Sequence, residues 1–583
     1  MKGHFSILKK PIFWTLIVLV SHLVIFSAYL ATEIRGNIGW HVLPSETFGI
    51  PPKLQEQGHE VLYPAPQSGW DGQFYFSIAN DPLALNGTEE YVDADAYRYQ
   101  RAGLPILSKI ISIITLQDWV SPMTYYLTSL ILIMMAVYYF SKDLIKSGGH
   151  PVYSVFWGLG MGTILTSMNG LPDAAADSLL ILSLLALKSN RMLLFAILSS
   201  FAALSREAYI LLPAGVIFFS IVQIFLNRNC VEKENCENCE STNLKLKIIL
   251  MSIPLVIFGS WHVFIRKHFG VSPSSQAHSI LDKPFRSLLK HFEITWGNEQ
   301  NLFPFFALII FVFILLLTLF LYSKLLYEKG FLVALKSRSK FLEKLQSISK
   351  EEMALLSLIP LPILYLCFGD VVMFHYTGYL KAASLFLFLT VYISFIMLNK
   401  HKWPTIIVNT IALLYITPYM LKERVFIDTP STAYKFSEYS DKNDVLETQE
   451  ILNKFSSKIE LKGMKDFYHS NFFRELWGKN DLKVFNVSVL NTSGSPFMKS
   501  RGVGEIHMSY HWLNDKGQVI QDGIRNKLQA VVKPNESHQM DMIVKYPNEP
   551  GDYRLILSLV QEGYAWFYQA GDKGAFSMDV RIH

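Results

Sequence analysis

The chain opens on a short basic segment, with Lys2, Lys9 and Lys10, and passes straight into an apolar run from Pro11 to Thr32. A membrane-spanning helix needs about 20 such residues, so this run predicts a first crossing. Further apolar runs lie at 121–140, 151–168, 174–187, 192–205, 208–226, 248–265, 303–323, 353–368, 380–399 and 404–421, and with the first they predict about eleven spans. Runs 174–187 and 192–205 are short, which predicts tilted or partly re-entrant helices. Segment 104–117 is shorter still and amphipathic, and reads as a helix lying at the interface. The pattern changes after Tyr419. Residues 422–480 are polar and mixed, a linker with some helix, and from Asp481 apolar and polar positions alternate over 483–489, 505–512, 540–546, 553–560 and 575–582. Turn signals at 514–517 and 550–552 separate these runs, and about seven short strands predict an immunoglobulin/fibronectin-like β-sandwich. Trp512, Trp566 and Phe567 fall in strand-like alternation and read as core aromatics.

The expected fold is therefore an α-helical polytopic membrane domain over 1–421, with a large first outer loop at 33–120, a linker over 422–480 and an all-β domain over 481–583. Composition agrees: of 583 residues, 51% are hydrophobic and 17% charged, too apolar for an ordinary soluble protein. No small-residue cleavage pattern follows Thr32, so the first run reads as an anchor and not as a signal peptide. A net charge of +5 gives no reason to expect nucleic acid; membrane lipids are the expected surroundings. The Lys/Arg bias places the N-terminus in the cytoplasm and the C-terminal domain outside. Arg266, Lys267 and the basic residues of 283–290 break this bias on the outer side and call for anionic lipid or phosphate. Cys230, Cys236 and Cys239 fall in a polar loop, where free reduced thiols are the simpler reading; zinc would lack a nearby His ligand. No cofactor is expected, and a divalent ion is compatible but not indicated.

The stretch with most chemical content is 68–82, Ser-Gly-Trp-Asp-Gly-Gln-Phe-Tyr-Phe-Ser-Ile-Ala-Asn-Asp-Pro. Asp71 stands among aromatics with Gly69 and Gly72 close by, so the backbone can turn tightly and a ligand can approach. A carboxylate beside a bilayer suits a general base that must reach an acceptor hydroxyl. The alternative is an interfacial Trp/Tyr anchor carrying a solvated Asp. A leaving phosphate would need a pre-placed cation, for which Arg98, Arg101, Arg206 and Lys381 are the candidates. Arg206 could equally snorkel to the headgroups while pairing with Glu207. Asp173 and Asp177, four apart on one helical face, could cap a helix, meet a polar acceptor or help to hold a metal, with capping the simpler reading for Asp173.

The Trp70–Ala79 string resembles the WDGxxYxxIA signature of polytopic GT-C glycosyltransferases, among them the GPI mannosyltransferase II type and bacterial relatives. Arg98 to Pro105 resembles the RYQRxxxP run that follows it in the bacterial enzymes, and the Arg206-Glu207 block resembles a span ending found in many members. The resemblance implies a transferase of the bacterial inner membrane that moves a sugar from a polyprenyl-phosphate donor, with inversion, to an envelope glycan or glycolipid acceptor on the non-cytoplasmic side. It implies Asp71 as catalytic base, donor phosphate at Arg98, Arg101, Arg206 and Lys381, and substrate contacts from Trp70, Gln73, Tyr75, Asp173, Asp177 and Glu207. The tail, through 490–494, 509–513, 550–553 and 559–567, resembles an accessory sandwich attached to polysaccharide-related transferases. A glycolipid transporter or flippase and a non-catalytic glycan-binding scaffold remain the alternative readings.

Overall fold

The computed structural model describes residues 4–32, 34, 38–45, 48–58, 62, 69–231, 240–276, 280–296, 302–373, 376–421, 450–466, 482–498, 504–528, 531–547 and 549–582. Cys236 and Cys239 lie outside these residues, as does His375 ahead of Lys381, and nothing is described of the Cys230 side chain. The chain forms two compact units, Met1–Phe26 with Phe74–Lys422, and Ser27–Gln73 with Glu423–His583.

The first unit is helical. Across the described residues seven helices are long and apolar enough to cross a membrane: Pro11–Ala31, Pro122–Lys146, Glu207–Leu226, Ile248–Phe269, Phe303–Glu328, Tyr376–Met397 and Lys402–Leu421. Each coincides with an apolar run of the sequence. The boundaries follow local signals. Ser121 Oγ accepts from the Thr124 amide at 3.1 Å and Pro122 occupies the first helical position, a standard start. Two glycines, Gly148 with φ +75° and Gly149, end the same helix.

The remaining runs behave differently. Run 151–168 is broken into Pro151–Ser154, Val155–Gly158 and Met161–Met168, with Gly158 and Gly160 at the interruption. Run 353–368 breaks at Pro360, which starts a new short helix, Pro360–Tyr365, after Lys350–Leu358. Asp173–Lys188 and Met192–Ser205 are continuous but only 16 and 14 residues long. Every residue of 174–187 is buried, so this helix has no solvent-facing polar side. Gly103–Ile114 buries Leu104, Ser108 and Ser112 and leaves Ile110, Ile113 and Ile114 exposed, so its burial is one-sided. Two later helices each contain a widened π turn, Tyr392–Met397 and Ala412–Ile416.

The second unit carries the strands, all paired antiparallel. They are β1 (Ser457–Asp466), β2 (Leu482–Asn491), β3 (Ile506–Leu513), β4 (Val519–Asp522), β5 (Asn526–Lys527), β6 (Ser537–Lys545), β7 (Gly551–Gln561), β8 (Ala565–Trp566) and β9 (Phe576–Ile582). One sheet has the order β1-β2-β6; the other has β4-β3-β7-β8, with β5 on β3 and β9 on β7. All five strand runs read from the sequence are present, while β1 falls inside the stretch read as linker. Met508, Tyr510 and Trp512 pair with Leu559, Leu557 and Leu555 on one buried face. Trp512 Nε1 donates to the Lys545 carbonyl at 2.8 Å, and the Lys545 amide donates to Tyr510 Oη at 2.7 Å, which ties the two sheets together.

Trp512 and Phe567 are core residues, as expected, but Trp566 is only half-buried. It lies over His511, ring centroids 3.8 Å apart, with the Arg525 guanidinium 4.9 Å from its ring on the opposite face of β3 from the core. Beside it His507 is held between Glu505 at 3.4 Å and Glu562 at 3.1 Å. Burial alone would lower the His507 pKa, but the two carboxylates raise it above its ordinary value. The hydrogen bond from His507, against the opposing effect of burial and with Arg525 also close, pulls Glu562 down to about 2. His507 therefore stabilises the folded sheet fully below its unfolded value of 6.5, and this contribution is lost as pH rises through the higher folded value. Glu562 contributes above its unfolded value of 4.5 and loses that contribution as pH falls towards 2. Hydrogen-exchange protection of β3 in the full chain, corrected for intrinsic rates, is expected to peak between these limits; His507→Gln should flatten the alkaline limb and also shrink the acid limb, because His507 is the largest cause of the Glu562 depression.

Candidate functional site

Asp71 belongs to the second unit and occupies the turn immediately before the Gly72–Asn80 helix, with its side chain exposed. The turn is fixed by its neighbours. Gly69 has φ +68°, and a Cβ there would stand 2.5 Å from the Leu43 carbonyl oxygen and 2.5 Å from Gln73 Nε2, so only glycine fits. Gln73 is buried, and its amide oxygen accepts from both the amide and the hydroxyl of Ser45 at 3.0 Å. The Trp70 ring lies 6.4 Å from that of Tyr29. The sequence expects Gln73 to touch substrate; here its carbonyl oxygen fastens the turn to residue 45. What results is an exposed carboxylate on a pinned backbone at a helix N-terminus, where negative charge is favoured.

In the first unit, the basic run after this helix is held by the Ile248–Phe269 span and the short helix beyond it. Trp261 Nε1 donates to the Tyr99 carbonyl at 2.9 Å, and Gln276 binds the Tyr97 amide at 3.1 Å and Asp95 at 2.6 Å. Arg98 forms a two-pronged pair with Asp93 at 2.8 and 2.7 Å and reaches the hydroxyl of buried Tyr75 at 3.4 Å. Tyr75, expected at the substrate, is thereby an internal partner of Arg98. Arg101 makes the same two-pronged arrangement with Glu207 at 2.8 and 2.7 Å, its guanidinium 4.8 Å from the Tyr97 ring. Burial would lower the Arg101 pKa, but the Glu207 carboxylate holds it above the ordinary guanidinium value. Both arginines expected to bind phosphate already carry a carboxylate.

Arg206 and Glu207 do not pair with each other. Arg206 is extended, φ −152° and ψ 112°, which sends adjacent side chains to opposite sides. Glu207 goes to Arg101, while Arg206 lies 3.9 Å from both Asp173 and Asp177. Asp177 is fully buried and accepts from Tyr209 Oη, from Ser384 Oγ and, at 3.4 Å, from Trp157 Nε1. The Arg206 guanidinium also lies over the Tyr209 and Tyr365 rings, 5.4 and 5.7 Å away. Tyr209, Ser384, Trp157 and Tyr365 were not singled out by the sequence. Ser384 is 207 residues from Asp177, and no local pattern could have joined them. Lys381 is half-buried in the Tyr376–Ala382 helix and, among the described residues, has no carboxylate partner. Among the described residues no group of three or more His, Cys, Asp or Glu side chains could hold a metal ion.

The Arg101–Glu207 pair depends on two helices approaching closely at Gly103. A Cβ there would stand 2.2 Å from Ser205 Oγ and 2.5 Å from the Phe201 carbonyl oxygen, so the helices would have to separate. Gly103→Ala, which in an open helix stabilises, is expected instead to cost about 1–3 kcal/mol, as overpacking does. The melting temperature of the full chain in detergent checks the sign. Compared with protein-family models, with curated proteins and with solved structures, the chain matches none.

Proposed function

We propose that this chain is an inverting membrane glycosyltransferase of the GT-C type. It moves a sugar from a polyprenyl phosphate to an envelope glycan or lipid on the non-cytoplasmic side of a bacterial inner membrane. The observation that carries the reading is Asp71, an exposed carboxylate in a turn locked by Gly69 and by the Gln73–Ser45 bonds. The WDGxxYxxIA resemblance of the surrounding string supports it. In this reading Asp71 takes the proton of the acceptor hydroxyl as that oxygen bonds to the anomeric carbon. The bond from the anomeric carbon to the phosphate oxygen breaks, and the lipid phosphate departs with the electron pair. A cation must meet that developing charge. Of the four candidates Lys381 lacks a carboxylate partner among the described residues, whereas Arg98, Arg101 and Arg206 are each near one.

The reading includes about eleven crossings, with Asp173–Lys188 and Met192–Ser205 as short enclosed spans and the broken 151–168 and 353–368 runs completing the count. It also takes the two sheets as an immunoglobulin/fibronectin-like sandwich on the outer side. The test is transfer by the purified full chain, reconstituted in lipid, across a panel of polyprenyl-phosphate sugars. Release of polyprenyl phosphate with sugar found on the acceptor is expected, and nucleotide sugars should be inert. No turnover with any member of the panel would remove the enzyme reading. Labelling Ser68→Cys from outside intact cells tests the orientation separately.

A further inference from the structure

A cavity of about 190 Å³ opens at the lysine-bearing end of the Pro122–Lys146 helix, between that helix, Asp173–Lys188 and Met192–Ser205. Its polar part presents Lys142, Lys146 and Arg191. All three are exposed, and none forms an ion pair with a described residue. The one carboxylate on the wall, Asp143, is paired with Lys188 and not with the three cations: Lys188 Nζ sits 3.0 Å from it and 2.7 Å from Glu351. Arg191 is also the residue that opens the Met192–Ser205 helix, whose first turn has no side-chain cap, so its amides add positive potential at the same place. The other part of the wall is apolar and faces outward. Met135 and Tyr139 are each 42% exposed and Leu194 is 40% exposed, too open for a protein core and suited to an acyl chain.

We propose that this cavity is a binding site for an anionic phospholipid of the leaflet on that side. Its phosphate lies among Lys142, Lys146 and Arg191, and its acyl chain lies along Met135, Tyr139 and Leu194. Cation-lined pockets between helices at one membrane face are where anionic headgroups are held. A zwitterionic lipid gains less there, because its own ammonium opposes the three cations. The site rests on the helices spanning a bilayer and is independent of any glycosyl transfer.

Native mass spectrometry of the full chain, taken from mixed phosphatidylglycerol and phosphatidylcholine vesicles, tests this. The parent is expected to retain phosphatidylglycerol preferentially. The triple variant Lys142→Gln/Lys146→Gln/Arg191→Gln should lose that preference by about a hundredfold, each surface cation contributing roughly fivefold. A matched variant, Lys336→Gln/Arg338→Gln/Lys340→Gln, removes the same charge from the basic 324–350 loop and should keep it. Equal loss in both variants would reduce the effect to bulk surface charge and overturn the site. Displacement of the lipid by inorganic phosphate would also overturn it, since a soluble anion would then be the occupant. Leu194→Ala, which removes apolar contact area and adds no charge, should weaken retention without touching a cation; unchanged retention would remove the acyl-chain part.

Discussion

Asp71→Asn is expected to lower the transfer rate by about 10²–10⁴, the range that a general base contributes. The change is nearly isosteric, and the turn has supports other than the Asp71 charge. It is held by Gly69 at positive φ and by the Gln73 amide oxygen on Ser45, neither of which is altered. The loss should therefore appear in kcat, with KM for the lipid donor little changed. A base-free mechanism, or a purely anchoring role for the Trp70-Asp71 pair, would leave kcat intact. Full turnover by the Asn variant would end the case for Asp71.

Arg206→Met is expected to destabilise the helical unit by about 3–5 kcal/mol, the cost of stripping a buried ion pair of one partner. Asp177 has no exposure, and its oxygens are committed to Tyr209, Ser384 and Trp157. The three donors disperse its charge, but among the described residues only Arg206, 3.9 Å from both Asp173 and Asp177, opposes it. Without the guanidinium, a buried carboxylate is left with hydrogen-bond donors but without its cation. Adding Asp177→Asn to Arg206→Met should recover part of the loss, because the two changes act on one interaction. Thermal unfolding of the full chain in detergent measures both. A melting point equal to the parent's for the single variant would mean that the Arg206 cluster bears no stabilising role.

The apolar runs made the long helices legible, since length and hydropathy are what a crossing requires. The interruptions were less legible. Gly158 and Gly160 divide one run and Pro360 another, yet in each the apolar character continues across the break. β1 was hidden because Lys458, Glu460 and Lys462 dominate its composition while its inward Ile459 is nearly alone. At the candidate sites the residue types were found and their partners were not. Neighbouring Arg206 and Glu207 invited a pairing that one extended residue forbids. Arg98 and Arg101 looked like free cations until the fold brought Asp93 and Glu207 to them. Trp566 looked like core because alternation identifies a strand face, but the outward face of β3 is itself covered.

The widened turns at Tyr392–Met397 and Ala412–Ile416 carry a residue more than an ordinary α-helical turn would use. Elsewhere in these helices, deleting one residue would swing everything downstream by about 100° and expose the wrong side to its neighbours. Within either widened turn the same deletion would instead restore regular geometry with both flanks in phase. Within these two helices, the widened turns are where the chain can shorten and keep its fold.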